Sequence, residues 1–294
     1  MKFVSLKNIA TLVLFILLTS VSSNAIDLTM PKDNEDYWAK IDKLNWKDGP
    51  VDISFEQANS TISFSSEFRV LEGEDARQIL YWTNGIEFPY AEIFAESNVK
   101  RYHYTFSYID SGYVEIDDWK NVHPEKFLEQ MNENAQENNP ERIKNNMSSI
   151  DKITWNKKPS LDRSKSAVYY ALKLDWSDGT SSIDATTILL GRKGYTNVTY
   201  ATWPDVYDNN DLVKISEIHN FNDEQQYKDW KSGDKVAAVG IGALLATTLG
   251  VKAIKPGLLI ALGLLLKKFW FIILLPFVFI GKLFSSGSNK RKRK

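Results

Sequence analysis

The chain has 294 residues, no cysteine, and 36 Lys/Arg against 37 Asp/Glu. The near-neutral sum conceals a segregation. Once the two lysines before residue 26 and the ten Lys/Arg after Lys235 are set aside, residues 26–235 hold 24 basic and 37 acidic residues, a net of −13. Such a surface repels nucleic acid and anionic headgroups, so no nucleic-acid partner is expected. The missing cysteines exclude disulfides, thiol catalysis and thiolate metal sites.

Residues 1–25 carry the zones of a secretory signal: Lys2 and Lys7, an apolar run over 9–18, then Ser23-Asn24-Ala25 with cleavage expected after Ala25. An uncleaved anchor is the alternative, but its apolar core falls short of the roughly 20 residues a span needs.

The exported body is expected over 26–232. A short helix over 36–44 and a turn at 46–50 precede alternating strands at 51–55 and 61–70. Residues 72–82 have helical spacing (Ala76, Ile79, Leu80), closed by Asn84-Gly85. Strand 101–109 places Tyr102, Tyr104, Phe106 and Tyr108 on one face and Arg101, His103, Thr105 and Ser107 on the other; Asp110-Ser111-Gly112 is read as a hairpin turn into 113–116. A helix begins at Pro124, buries Phe127, Leu128, Met131 and Ala135, and is interrupted at Pro140, with another turn or two over 141–146. Strands at 150–155, 167–176, 183–190 and 195–203 and a closing helix at 209–218 complete an α+β fold, a mostly antiparallel sheet with a few packing helices.

From residue 236 to 284 nearly every side chain is apolar, small or lysine, and this reads as a C-terminal helical membrane segment over 233–284. Residues 236–254 form a first candidate span in which Gly240, Gly242 and Gly250 offer close approach to another helix. Pro256-Gly257 breaks it, and blocks 258–266 and 269–280 follow, separated by Lys267-Lys268. The anchor is therefore assigned to Val236, Gly240, Gly242, Leu258, Lys267, Lys268, Trp270 and Phe279, with Asp234 and Lys235 at its interface and the lipid bilayer as partner. The basic tail at 285–294 is expected to remain cytoplasmic, which requires an odd number of crossings; one is favoured.

The order of short markers along the chain resembles a family of bacterial membrane-anchored proteins known only as a domain of unknown function. Those markers are Gly49-Pro50, Gly73-Glu74-Asp75-Ala76 with Tyr81-Trp82, Gly112-Tyr113-Val114 with Asp117-Asp118, and Asn139-Pro140-Glu141-Arg142. Trp155 with Pro159, the run 190–194, and Tyr227 with 233–238 extend the likeness from about residue 46 to 284. The sequence departs at Asn139-Pro140 and at Pro159-Ser160-Leu161-Asp162. The resemblance implies an envelope protein with a C-terminal anchor, and no reaction, cofactor or substrate.

Residues for catalysis are scarce. His103, His123 and His219 are the only imidazoles, and none lies in a metalloprotease or nucleophile-elbow motif. His103 reads as a solvated residue on the polar face of its strand, His123 as the start of a helix, and His219 as a helix-terminal residue whose positive charge the dipole favours. Asp117 and Asp118 are the leading acidic candidates, as a carboxylate pair or a cap to the following helix. Asp205, Asp208 and Asp211 loosely resemble a calcium loop without its Gly and Glu spacing. The aromatic stripe at 102–108 reads as core rather than a sugar platform. The expected function is a non-catalytic envelope module that binds a membrane or periplasmic protein or a lipid, with no cofactor. The alternatives are a metal- or carboxylate-dependent hydrolase of envelope polymers, in which Asp117 or Asp118 meets His103 or Arg192, and a transport or secretion accessory.

Overall fold

The computed structural model describes residues 26–85, 87–100, 102–144 and 147–251. Among the described residues five helices, α1 (Asn34–Ile41), α2 (Gly73–Asn84), α3 (Pro124–Lys144), α4 (Asn209–Ile218) and α5 (Ile241–Thr248), accompany eleven strands. The strands are β1 (Lys47–Asp48), β2 (Val51–Phe55), β3 (Ser60–Phe64), β4 (Phe68–Glu72), β5 (Ile93–Ser97), β6 (Tyr102–Ile109), β7 (Ile150–Asp162), β8 (Ala167–Trp176), β9 (Ser181–Leu190), β10 (Tyr195–Thr202) and β11 (His219–Phe221). One sheet runs β1-β4-β5-β6-β10-β9-β8-β7 and a smaller one runs β11-β3-β2. Every ladder is antiparallel, so the fold is α+β with a large antiparallel sheet.

Alternation along the strands dictates the layers. One face of the large sheet carries Val70, Ile93, Phe106, Tyr169, Ala185 and Val198, which pack with Ile53, Phe55, Ile62 and Phe64 of the small sheet and Leu212 and Ile215 of α4. The stripe read as core is core: Tyr102, Tyr104 and Phe106 are buried here, and Phe64 meets Phe106 edge-on at 5.8 Å.

The opposite face is covered in two separate patches. Over β4 and β5, α1 and α2 bury Leu71 and Phe94 under Tyr37, Ile41, Ala76 and Ile79. Over β7 to β9, α3 and α5 bury Val168, Leu172, Leu174, Ile188 and Leu190 under Phe127, Met131, Ile241 and Leu245. Strand β8 is buried on both faces, with eight of its ten residues fully covered, and so demands a cap on each side.

Several expected elements are corrected. The run 61–70 is two strands with a turn between them, and β5 and β11 went unread. Strand β6 does not fold back on 113–116: it lies mid-sheet between β5 and β10, and Tyr113 bridges Val236 in parallel. Pro140 does not interrupt α3, which runs through it and takes in the expected further turn as far as Lys144.

The largest correction concerns the first expected span. Ile241, Leu244, Leu245, Ala246, Leu249 and Val251 are all buried in the body, at 3% exposure or less. Gly240 caps α5, an eight-residue helix about 12 Å long by the 1.5 Å rise. Val236, Gly240 and Gly242 therefore belong to the folded body rather than to an anchor. The close approach that the glycines permit is to a carboxylate: a Cβ on Gly240 would sit 2.8 Å from the Asp118 carboxylate. No helix among the described residues is long and apolar enough to cross a membrane. Residues 1–25, Leu258, Lys267, Lys268, Trp270, Phe279 and the basic tail lie outside the described residues.

Candidate functional site

Between its two helical covers, the second face of the sheet presents polar side chains from β5, β6, β10 and β9. The ladder registers set Arg69, Glu96, His103, Ala201, Asp184 and Leu172 side by side in one transverse row. The next row holds Phe94, Thr105, Thr199, Thr186 and Tyr170, and beyond it lie Ser107 and Asn197. His103, Thr105, Ser107, Asp184, Asn197 and Thr199 are each only half-buried, as the floor of a groove should be.

At the α1–α2 end this floor deepens into a cavity of about 280 Å³. Tyr37 and Trp38 wall it from α1, Phe94 and His103 from the sheet, and Ala201 and Trp203 from the end of β10. The Tyr37 hydroxyl is tied to Thr83 Oγ1 at 2.9 Å, which fixes the helix-borne wall. Arg69 is committed elsewhere: it pairs with Glu96 and lies over the Trp46 ring at 3.9 Å. Lys100 stands exposed at the mouth.

The electrostatics of the floor follow from burial. The His103 imidazole stacks on Phe94 with centroids 5.0 Å apart, and desolvation holds its pKa down to about 4, so the ring is neutral at pH 7. Burial pushes the Asp184 carboxyl up to about 7. It has no hydrogen bond or ion pair among the described residues. Burial also raises Glu92 to about 7, against a backbone N–H donated by Tyr108 and the nearby Arg77 charge. Glu92 Oε2 and Asn197 Oδ1 are buried acceptors without a donor. Chemically, the floor offers acceptors in search of donors. Asp184 and His103 are two strands apart, roughly 10 Å between backbones, too far for direct proton transfer and wide enough for a ligand to lie across Ala201.

The sequence candidates fall elsewhere. Asp118 accepts from the Gly242 N–H at 3.2 Å and so caps the start of α5, where a cap to the helix that follows it was expected. Asp117 is exposed on the neighbouring short 3-10 turn. Neither joins His103, which lies under the other helical cover. Arg192 forms a bidentate pair with Asp234, at 2.7 and 2.9 Å, that holds the Asp234 carboxyl down to about 2. Asp234 is thus a strut within the body, where an interfacial anchor was expected. The expected carboxylate–His103 or carboxylate–Arg192 site is not assembled.

His219 reverses its expectation too. It is buried, Ser60 Oγ and Thr196 Oγ1 each lie 3.1 Å from Nε2, and desolvation lowers its pKa to about 4. The helix dipole loses to desolvation. His123 does start α3, its carbonyl accepting from Lys126 and Phe127. Asp208 caps α4 and Asp211 is buried, accepting from Tyr200 and Lys214. No metal-holding cluster of His and acidic groups exists among the described residues. Asp184 and Glu96 went unnoticed in the sequence. Their signal was an acid inside an otherwise apolar strand, as in the Ile-Asp-Ala run of β9.

A family model described as "Protein of unknown function (DUF2167)" matches residues 47–278. The chain belongs to this family. The family domain begins at β1 and so encloses the cavity floor, β6, β9 and β10 included, while all of α1 precedes it. No curated protein matches the chain. Among solved structures, the chain is similar to the solution structure of cyanobacterial PsbP (CyanoP) from Synechocystis sp. PCC 6803. That similarity has a TM-score of 0.34 and 8% identity, over 58% of this chain and 91% of the other.

Proposed function

We propose that this DUF2167 protein is an exported bacterial envelope protein, tethered to the inner membrane by its apolar C-terminal blocks, whose acidic body binds a ligand in the α1–α2 cavity without transforming it. The cavity carries the binding reading: a concave site of about 280 Å³ with aromatic and apolar walls and a few polar groups is the form small-molecule sites take. Support for the tether comes from the sequence. Blocks 258–266 and 269–280 have no polar face, and five consecutive basic residues end the chain. The cavity would then face the periplasm and the basic tail the cytoplasm. Because α5 is part of the body, the tether is confined to the chain beyond Val251.

Two measurements test this. Full-length protein should stay with bilayers through a carbonate wash, and a chain ending at Val251 should appear in the supernatant; release of the full-length protein would overturn the tether. A fragment screen by thermal shift should return hits that Ala201→Leu abolishes. Hits indifferent to that substitution, or none at all, would remove the cavity as the binding site.

A further inference from the structure

The cavity and the unpartnered acid of β9 share a wall. Ala201 lines the cavity and stands in register with Asp184 on the next strand, on the same face of the sheet. Neighbouring residues of an antiparallel pair lie about 5 Å apart, so Asp184 stands one strand beyond the Ala201 wall of the cavity. Among the described residues, the cations that line the cavity are Arg69 and Lys100. Arg69 is held by Glu96 and Trp46, and Lys100 lies at the exposed mouth. The walls are aromatic on three sides: Tyr37 and Trp38 above, Phe94 on the sheet, and Trp203 beyond β10.

Aromatic faces and a neighbouring carboxylate select for positive charge. Rings attract an ammonium group through their quadrupoles, and a half-buried acid without a donor gains a charge-assisted hydrogen bond from it. The volume admits a group of a few to about ten heavy atoms and excludes a folded partner. We propose that the cavity is a binding site for small organic amines, with the apolar body of the ligand among Trp38, Phe94 and Trp203 and its ammonium group lying across Ala201 to the Asp184 carboxylate. This rests on the binding reading above and deepens it by naming the ligand class and the residue that selects it. The side chain at position 201 sets the reach: a larger residue there would close the passage from cavity to acid.

The test uses full-length protein in detergent and three probes of one shape, 2-phenylethylamine, 2-phenylethanol and phenylacetate, measured by calorimetry at pH 8. The amine should bind at least tenfold more tightly than the alcohol, and phenylacetate more weakly still. Asp184→Asn should remove the amine's advantage while leaving the alcohol's affinity within twofold, which a folding defect would not do. Ala201→Leu should weaken all three. If the three probes bind alike and Ala201→Leu blocks them all, the cavity stands as a binding site and the amine assignment falls. If the amine's advantage survives Asp184→Asn, the assignment also falls. If none of the probes binds, or if their binding ignores Ala201→Leu, both readings fall together.

Discussion

The two helical covers of the large sheet do the same geometric job with different thoroughness. On the α3–α5 side, apolar side chains from five elements interlock. The edge strand β7 is sewn to α3 by asparagines that imitate a missing strand: Asn132 and Asn139 each donate to and accept from the backbone of Ile153 and Ile150, at 2.8–3.0 Å. On the α1–α2 side, the helices leave a cavity of about 280 Å³, and Trp82 Nε1 and Glu92 Oε2 are buried without partners. A sheet face packed to density at one end and left open and acceptor-rich at the other separates holding the fold from holding a ligand.

Substitutions should sharpen that contrast. The largest effect is expected at Leu245, fully buried between α5 and the sheet. Leu245→Asp places a charge in the dense side and should cost at least about 4 kcal/mol, seen as loss of the cooperative thermal transition. A neutral outcome would restore α5 to the membrane.

Next comes Asp184. Its carboxyl holds its proton up to about pH 7 in the folded chain but only to about 3.9 when unfolded. Between these values the unfolded chain binds fewer protons, so stability falls as pH rises through this window and is flat above it. Asp184→Asn should therefore stabilise the protein by about 1–3 kcal/mol at pH 8 and by almost nothing at pH 3.5. Denaturant titrations at the two pH values would expose a pH-independent change. The buried imidazoles act in the opposite sense. His103 and His219 are held near 4 against about 6.5 unfolded, so their contribution is present above 6.5 and lost as pH falls toward 4. His219→Gln should flatten the acid limb of the stability profile.

Asn139→Ala should cost about 1–2 kcal/mol by stranding the Ile150 backbone groups at the sheet edge. The smallest effect is expected at the open side. Ala201→Val adds two methyl groups beside a cavity and should change stability by less than about 1 kcal/mol, whereas Ala135→Val in the dense side should cost about 1–3 kcal/mol. Equal penalties would mean that the two covers are packed alike.

Much of the architecture was legible because period reports burial. Helix 209–218 and strands 51–55 and 167–176 were read to the residue, and the tyrosine stripe announced the buried face of β6. Strand β5 escaped because Ile-Phe-Ala-Glu-Ser is short and ends in an acid, and the false hairpin after β6 arose because a turn signal cannot say which partner strand is nearer. The site was less legible. Asp118 drew attention for adjacency, yet its carboxylate is occupied by the Gly242 N–H. Asp184, isolated in an apolar strand, carries the unusual chemistry.

By itself the sequence determined the class of fold, the acidic body and the residues that must leave water, since these depend on local period and composition. It could not say what the apolar residues 241–251 would be buried against, because lipid and the bare face of β8 and β9 reward the same side chains. Nor could it bring Ala201, His103 and Asp184 into one row, because register between distant strands is fixed only when the whole sheet closes. Tertiary structure decided both, by supplying the second surface against which each apolar face is measured.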